Sequence, residues 1–241
     1  MNIVISQPMF LPWIGLFEQI KLTDYLVFYD DVQLPQGRSF MSRVQIKNAS
    51  GITWLSAPID RNLSGNLINE SYLISQSQQD WRGKHLKTLR HCYAKAPFFK
   101  KMYELADQIY SFPSNNLAEF NQNAIKNINS WLGFHPFYAK SSELKIYGKS
   151  TQRLVNICNQ FQAKSYITGL GALNYIEYDQ FEDIGIDVRY MNYRKLPYQQ
   201  LHGEFTPYVT ILDAIANCGE DVQELICSNS IYWKEFVNES N

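Results

Sequence analysis

The sequence has little net charge, few cysteines and no long apolar run, and each shortage removes a class of function. Its 22 Lys and Arg face 23 Asp and Glu, for a net charge of -1. No global basic field draws in nucleic acid, so no nucleic-acid partner is expected and any anion site has to be local. The four cysteines, Cys92, Cys158, Cys218 and Cys227, form no CxxC pair. Free thiols in a reducing compartment are the simplest account of them, and neither a disulfide framework nor a zinc site is expected. No stretch has the length or apolar purity of a membrane span. The opening Met1-Asn2-Ile3-Val4-Ile5-Ser6-Gln7-Pro8 lacks the basic flank and apolar core of a signal peptide, so the expected location is the cytoplasm. His85, His91, His135 and His202 show no HxxxH or HxH spacing, and no Ser or Cys stands in a nucleophile-elbow context. Repeats, low-complexity runs and linkers are absent too.

What remains is an ordinary globular composition, with 45% hydrophobic and 19% charged residues, and a high aromatic share of 15% from 16 Tyr, 14 Phe and 5 Trp. At 241 residues the chain is long enough to bury a real core. Ile3-Val4-Ile5 reads as a first strand, stopped at Gln7-Pro8 because Pro cannot donate to a ladder. A helix follows to about Lys21, with Ile14, Phe17 and Ile20 on one face. Tyr25 to Tyr29 reads as a second strand, ended by Asp30-Asp31. Both strands are continuous apolar runs, as in a parallel sheet covered on both faces.

From about 32 to 75 the texture changes to short β-prone pieces (Arg43 to Lys47, Ile52 to Ala57, Tyr72 to Ile74) between Gly and Asn turns, an antiparallel insertion. A helical segment spans about 79 to 132, and its first helix carries Arg82, Lys84, His85, Lys87, Arg90 and His91 on what reads as a solvated basic face. The last third returns to α/β. Phe137 to Ala139 and Ser165 to Thr168 are strands, and Ile186 to Tyr190 is expected as the final one. Ser150 is placed to cap a helix, and Thr210-x-x-Asp213 reads as a variant capping box before a helix closed by Gly219. The expected fold is one α/β domain over 1–241, a Rossmann-like parallel core with a β-rich insertion and a helical segment.

Three stretches together resemble the WbqC-like protein family. The first is Ile5-Ser6-Gln7-Pro8-Met9-Phe10-Leu11-Pro12-Trp13-Ile14-Gly15. The second is Phe28-Tyr29-Asp30-Asp31-Val32-Gln33 with Arg38, Arg43-Val44-Gln45-Ile46-Lys47 and Trp54-Leu55-Ser56-Ala57-Pro58. The third is Thr168-Gly169, Tyr175 and Glu204-Phe205-Thr206-Pro207-Tyr208-Val209-Thr210-Ile211-Leu212-Asp213 with Asn217. Phe40-Met41-Ser42-Arg43 departs from the pattern, which has an aromatic followed by Asn before that Arg. The resemblance implies a place in O-antigen or other surface-polysaccharide synthesis, and a transferase role, with glycine as one group moved onto a sugar.

The residues suggest where such chemistry would sit. In open α/β sheets ligands bind at the carboxyl ends of the strands. Gln7 and Trp13 follow the first strand, Asp30, Asp31 and Gln33 the second, and Gly169-Leu170-Gly171 a third, with Tyr175 as an aromatic wall beyond it. Of the acid pair, Asp31 is expected to face the crevice with Gln33, as a general base or as a ligand to magnesium and substrate phosphate. Arg38, Arg43 and Lys47 form a basic row suited to a diphosphate. His202 lies in a polar, aromatic loop that can also meet the crevice.

The function expected is therefore group transfer, N-acyl or aminoacyl, onto a nucleotide-linked or carrier-linked amino sugar. Magnesium or ATP stands as the cofactor left open. Two other readings compete. One is a non-catalytic binding or scaffold protein of a polysaccharide assembly complex. The other is an ATP-using relic of a nucleotidyltransferase: Phe10, Pro12 and Gly15 echo that family's first loop, but both of its histidines are absent.

Overall fold

The computed structural model describes residues 1–35, 37 and 39–239, the last three by backbone alone. Arg38 therefore lies outside the described residues. Among those residues the strands form a six-stranded sheet, in the order β5-β2-β1-β6-β7-β8, and a separate hairpin, β3-β4. The strands are β1 Asn2–Ser6, β2 Tyr25–Phe28, β3 Arg43–Asn48, β4 Gly51–Ser56, β5 Phe137–Lys140, β6 Ser165–Thr168, β7 Asp187–Asn192 and β8 Asn229–Tyr232. All neighbours in the large sheet are parallel except β7 and β8. The main helices are α1 Ile14–Lys21, α2 Trp81–Tyr93, α3 Phe99–Tyr110, α4 Leu117–Trp131, α5 Ser150–Gln160, α6 Asp179–Glu182 and α7 Ile211–Cys218.

Strand alternation divides the core into two layers. Val4, Leu26 and Phe28 pack on one face with α1 to α4 and α7. Ile3, Ile5 and Val27 pack on the other with α5 and α6. Both faces are covered, which is why β1 and β2 carry no polar alternation. The hairpin follows the same rule on a smaller scale: Val44, Ile46 and Leu55 point into the core, and Arg43, Gln45, Lys47, Trp54 and Ser56 share the other face.

Five expectations are corrected. Tyr72 to Ile74 forms only isolated bridges, Ile59 with Leu73 and Tyr72 with Asn116. β7 is not the last strand, since β8 adds an antiparallel edge. Ser150 does not cap α5 but begins it, at φ 48°, and α5 has no side-chain cap. Thr210 does cap α7 by accepting from Leu212 N, but Asp213 turns inward rather than closing a capping box. The basic face of α2 is also less solvated than expected. Arg82 and His85 are buried, and Arg82 donates to the carbonyls of Phe112 and Ser114, tying down the connection between α3 and α4.

The candidate site at the sheet's switch point

The chain leaves β1 toward β2 and β5 on one side and later returns to β6, β7 and β8 on the other. The order therefore reverses between β1 and β6, where an open α/β sheet forms its ligand crevice. The register shows how it opens. β1 and β6 pair only at Asn2 with Ser165 and Ile3 with Tyr166, whereas β1 and β2 stay paired through Ser6 and Phe28. Beyond Ile3 the two central strands separate, and a cleft of about 750 Å³ lies at their carboxyl ends.

The ends of three strands line this cleft: Ser6 closing β1 with Gln7 after it, Tyr29 after β2, and Thr168 closing β6 with Gly169 after it. The first turn of α1 contributes Gly15 and Leu16, and the start of α5 contributes Ser150. Neither helix has a side-chain cap on its first turn, so both present the positive ends of their dipoles here. Gly15 is required by crowding, since a Cβ there would stand 2.5 Å from Trp13 Nε1. Trp13, Tyr175, Tyr193 and Tyr208 supply aromatic walls. Burial pushes the phenols of Tyr29, Tyr175 and Tyr193 up, so they act as neutral hydrogen-bonding groups.

The polar groups have a pattern. The side-chain amides of Gln7, Gln19 and Asn192 line the cleft and hydrogen-bond to no other described residue. Lys195 is the cation of the lining. Its ammonium lies 5.4 Å from the Tyr208 ring centroid and pairs with no carboxylate among the described residues. No Asp, Glu, His or Cys is among the lining residues. The cleft thus combines one cation and two uncapped helix starts with aromatic walls and unpaired amides.

The sequence profile of the WbqC-like protein family matches residues 7–224. The chain belongs to that family. A relative from Mycobacterium tuberculosis, the uncharacterized protein Rv1507c, is 29% identical over 227 residues, covering 93% of this chain and 97% of its own length. No solved structure matches the chain significantly.

Of the residues singled out by sequence in this WbqC-like chain, Gln7, Trp13, Gly169 and Tyr175 line the cleft. The acid pair does not. β2 ends at Phe28, so strand alternation no longer separates positions 30 and 31, and the hydroxyl of Ser141, just past β5, lies within hydrogen-bond reach of both carboxylates, nearer Asp31. Asp30 is buried and also accepts from Ser142 N at 3.1 Å, Ser142 Oγ at 3.0 Å and Gln122 Nε2 at 3.2 Å. Asp31 pairs with Arg153 of α5, and the Arg153 guanidinium stacks 5.1 Å from the ring centroid of Tyr29 on the cleft wall. Gln33 bridges to Leu67.

The basic row is divided. Lys47 is 3% exposed, and its ammonium donates to Gln200 Oε1, Gly203 O and Glu204 O at 3.1, 3.2 and 2.6 Å. An ammonium has three protons, so none is left for a phosphate. Burial lowers the Lys47 pKa, and the neighbouring Asp213 opposes the shift. His202 Nε2 lies 2.7 Å from Cys92 O in the last turn of α2, a helix-end contact away from the cleft. Arg43 stacks on Trp54. Sequence reasoning missed Arg153, Asn192, Tyr193 and Lys195, and quoted Tyr208 only within the family stretch, with no role of its own. Among the described residues no group of three or more His, Cys, Asp or Glu side chains is placed to hold a metal ion, and no described helix is long and apolar enough to cross a membrane.

Proposed function

We propose that the switch-point cleft binds a nucleotide-linked or carrier-linked amino sugar, and that the protein is a group transferase moving an N-acyl or aminoacyl group, glycine among them, in surface-glycan (O-antigen) synthesis. One observation supports the substrate class above the others. Lys195 and two helix N-termini meet three unpaired amides inside an aromatic-walled cleft. Phosphate suits the helix ends and the ammonium, a base suits the rings, and sugar hydroxyls suit the amides. The surface-glycan context comes from the family alone. Acyl transfer to an amine proceeds by placing the amine against an activated carbonyl, so positioning can supply much of the rate without a protein nucleophile.

A second reading is a binding protein without catalysis. It is favoured by the absence of any carboxylate, imidazole or thiol from the cleft-lining residues. Titration calorimetry of the pure protein with amino-sugar nucleotides and with ATP, followed by mass spectrometry after adding acyl and aminoacyl donors, separates the readings. A sugar nucleotide that binds and gains mass supports the transferase. Binding without product supports the second reading. ATP bound in preference to any sugar nucleotide overturns both in favour of the nucleotidyltransferase relic.

A further inference from the structure

A run of aromatic rings continues from the cleft wall at Trp13. The Trp13 ring lies 5.4 Å from that of Phe40, and Phe40 lies 6.0 Å from Trp54 on β4, centroid to centroid. Phe40 is 40% exposed, while Trp13 and Trp54 are half-buried. These rings form a tilted run from the cleft wall out along the hairpin, on the hairpin face turned away from the core. The three rings thus offer one continuous, partly exposed aromatic strip.

Arg43 closes the run. It is a diagonal neighbour of Trp54 on that face, and its guanidinium carbon sits 3.9 Å from the Trp54 ring centroid. Stacking on the ring fixes the plane of the fork. Arg43 makes no hydrogen bond or ion pair with another described residue, and its Nε is buried without a partner. A buried guanidinium N–H left unpaired is costly. At the other end of the same face the matching cation, Lys47, is fully satisfied by the loop over it. The hairpin therefore carries one occupied cation and one open cation, and the open one stands beside the aromatic run.

We propose that this strip, Trp13, Phe40, Trp54 and Arg43, is a second subsite for an anionic saccharide: a sugar ring lies on the aromatic faces, and a carboxylate or phosphate on it is held by the Arg43 fork. Resting on the cleft reading above, this subsite lies beside the one that takes the amino sugar, and Trp13 is the wall the two share. Aromatic faces suit the apolar face of a pyranose, and a planar fork suits a two-oxygen anion.

The test titrates glucuronic acid, glucose 1-phosphate and glucose against the wild-type protein, Arg43→Gln and Trp54→Leu by NMR. An amino-sugar nucleotide is titrated in parallel to report on the cleft. At least one charged sugar binds the wild type, and glucose binds at least about tenfold more weakly, the lower bound for hydrogen bonds to a charged group. Which of the two charged sugars binds identifies carboxylate or phosphate as the anion. Each substitution weakens the charged sugar at least about tenfold while the melting temperature and the nucleotide affinity stay near wild type. Glucose binding as well as the charged sugars overturns the proposal, as does unchanged affinity in folded Arg43→Gln and Trp54→Leu. Should no nucleotide bind the wild type, the cleft reading fails on its own, and the charged-sugar titrations still decide the strip.

Discussion

Replacing Asp31 by Asn separates a structural carboxylate from a catalytic one. Asn keeps the size and an acceptor for Ser141, so what it removes is the charge facing Arg153. The side chains of the pair are 13% and 21% exposed for Arg153 and Asp31. Fully exposed pairs are worth about 0.2–1 kcal/mol, and removing one partner of a buried pair costs about 3–5 kcal/mol. A mostly buried pair falls between, at about 2 kcal/mol. For a chain of this length that lowers the melting temperature by about 4–8 °C. Arg153 also donates to Ile146 O at 3.3 Å and leads the helix whose first residue lines the cleft, so ligand affinity falls alongside stability. Calorimetric melting of Asp31→Asn, Arg153→Met and the double variant measures the coupling, expected at about 1–2 kcal/mol. An Asp31→Asn protein with the wild-type melting temperature and turnover reduced by about 10²–10⁴-fold refutes this reasoning, because that is the signature of a general base.

Other outcomes follow from the same geometry. Lys195→Ala weakens a phosphorylated ligand in the cleft by at least about tenfold in a calorimetric titration and leaves the melting temperature unchanged, since the side chain is exposed. Gly15→Ala forces the Trp13 indole off its position, because the new Cβ would lie 2.5 Å from Nε1. Ligand affinity drops in the same titration, while the melting temperature holds because Ala favours the helix by up to about 1 kcal/mol. Burial lowers the His85 pKa from 6.5 to about 4, against a small opposing effect of a hydrogen bond with the Ser56 backbone. The unfolded chain takes up this proton first, so the stability is complete above about pH 6.5 and about 3 kcal/mol of it is lost as the pH falls to about 4. Urea denaturation at pH 7 and pH 4 shows a smaller drop for His85→Gln than for wild type.

The parts of the site that were legible in the sequence are those fixed by topology. A strand that ends at Gln7-Pro8 and another that ends at Thr168-Gly169 place their next residues at one sheet edge if both are parallel, and their apolar runs said that they were. Lys195, Tyr193 and Tyr208 lie in the irregular stretch from 193 to 210, which has no periodicity to read. Arg153 and Asp31 are 122 positions apart, and no local pattern joins them. The β8 strand escaped notice because Asn229-Ser230-Ile231-Tyr232 is four residues long and half polar. Strand alternation misled at the acid pair for a physical reason: the rule holds within a ladder, and the ladder had already ended.

The charged residues that looked most like ligand groups instead explain how the cleft keeps its wall. The stretch from 193 to 210 must cross from β7 to α7 without secondary structure of its own. Lys47 holds its middle through two carbonyls and Gln200, and His202 ties it to the end of α2. Tyr198 donates to the buried carboxylate of Asp213, whose pKa burial raises while Tyr198 and the other donors around it oppose that rise. Tyr193 OH reaches Pro207 O at 3.2 Å and closes the stretch on itself. With its middle fixed, the two ends carry Tyr193, Lys195 and Tyr208 to the cleft at little further entropic cost. Lys47 thus holds the segment that carries Lys195. Arg43, on the same hairpin face, stacks on Trp54 instead of joining that loop.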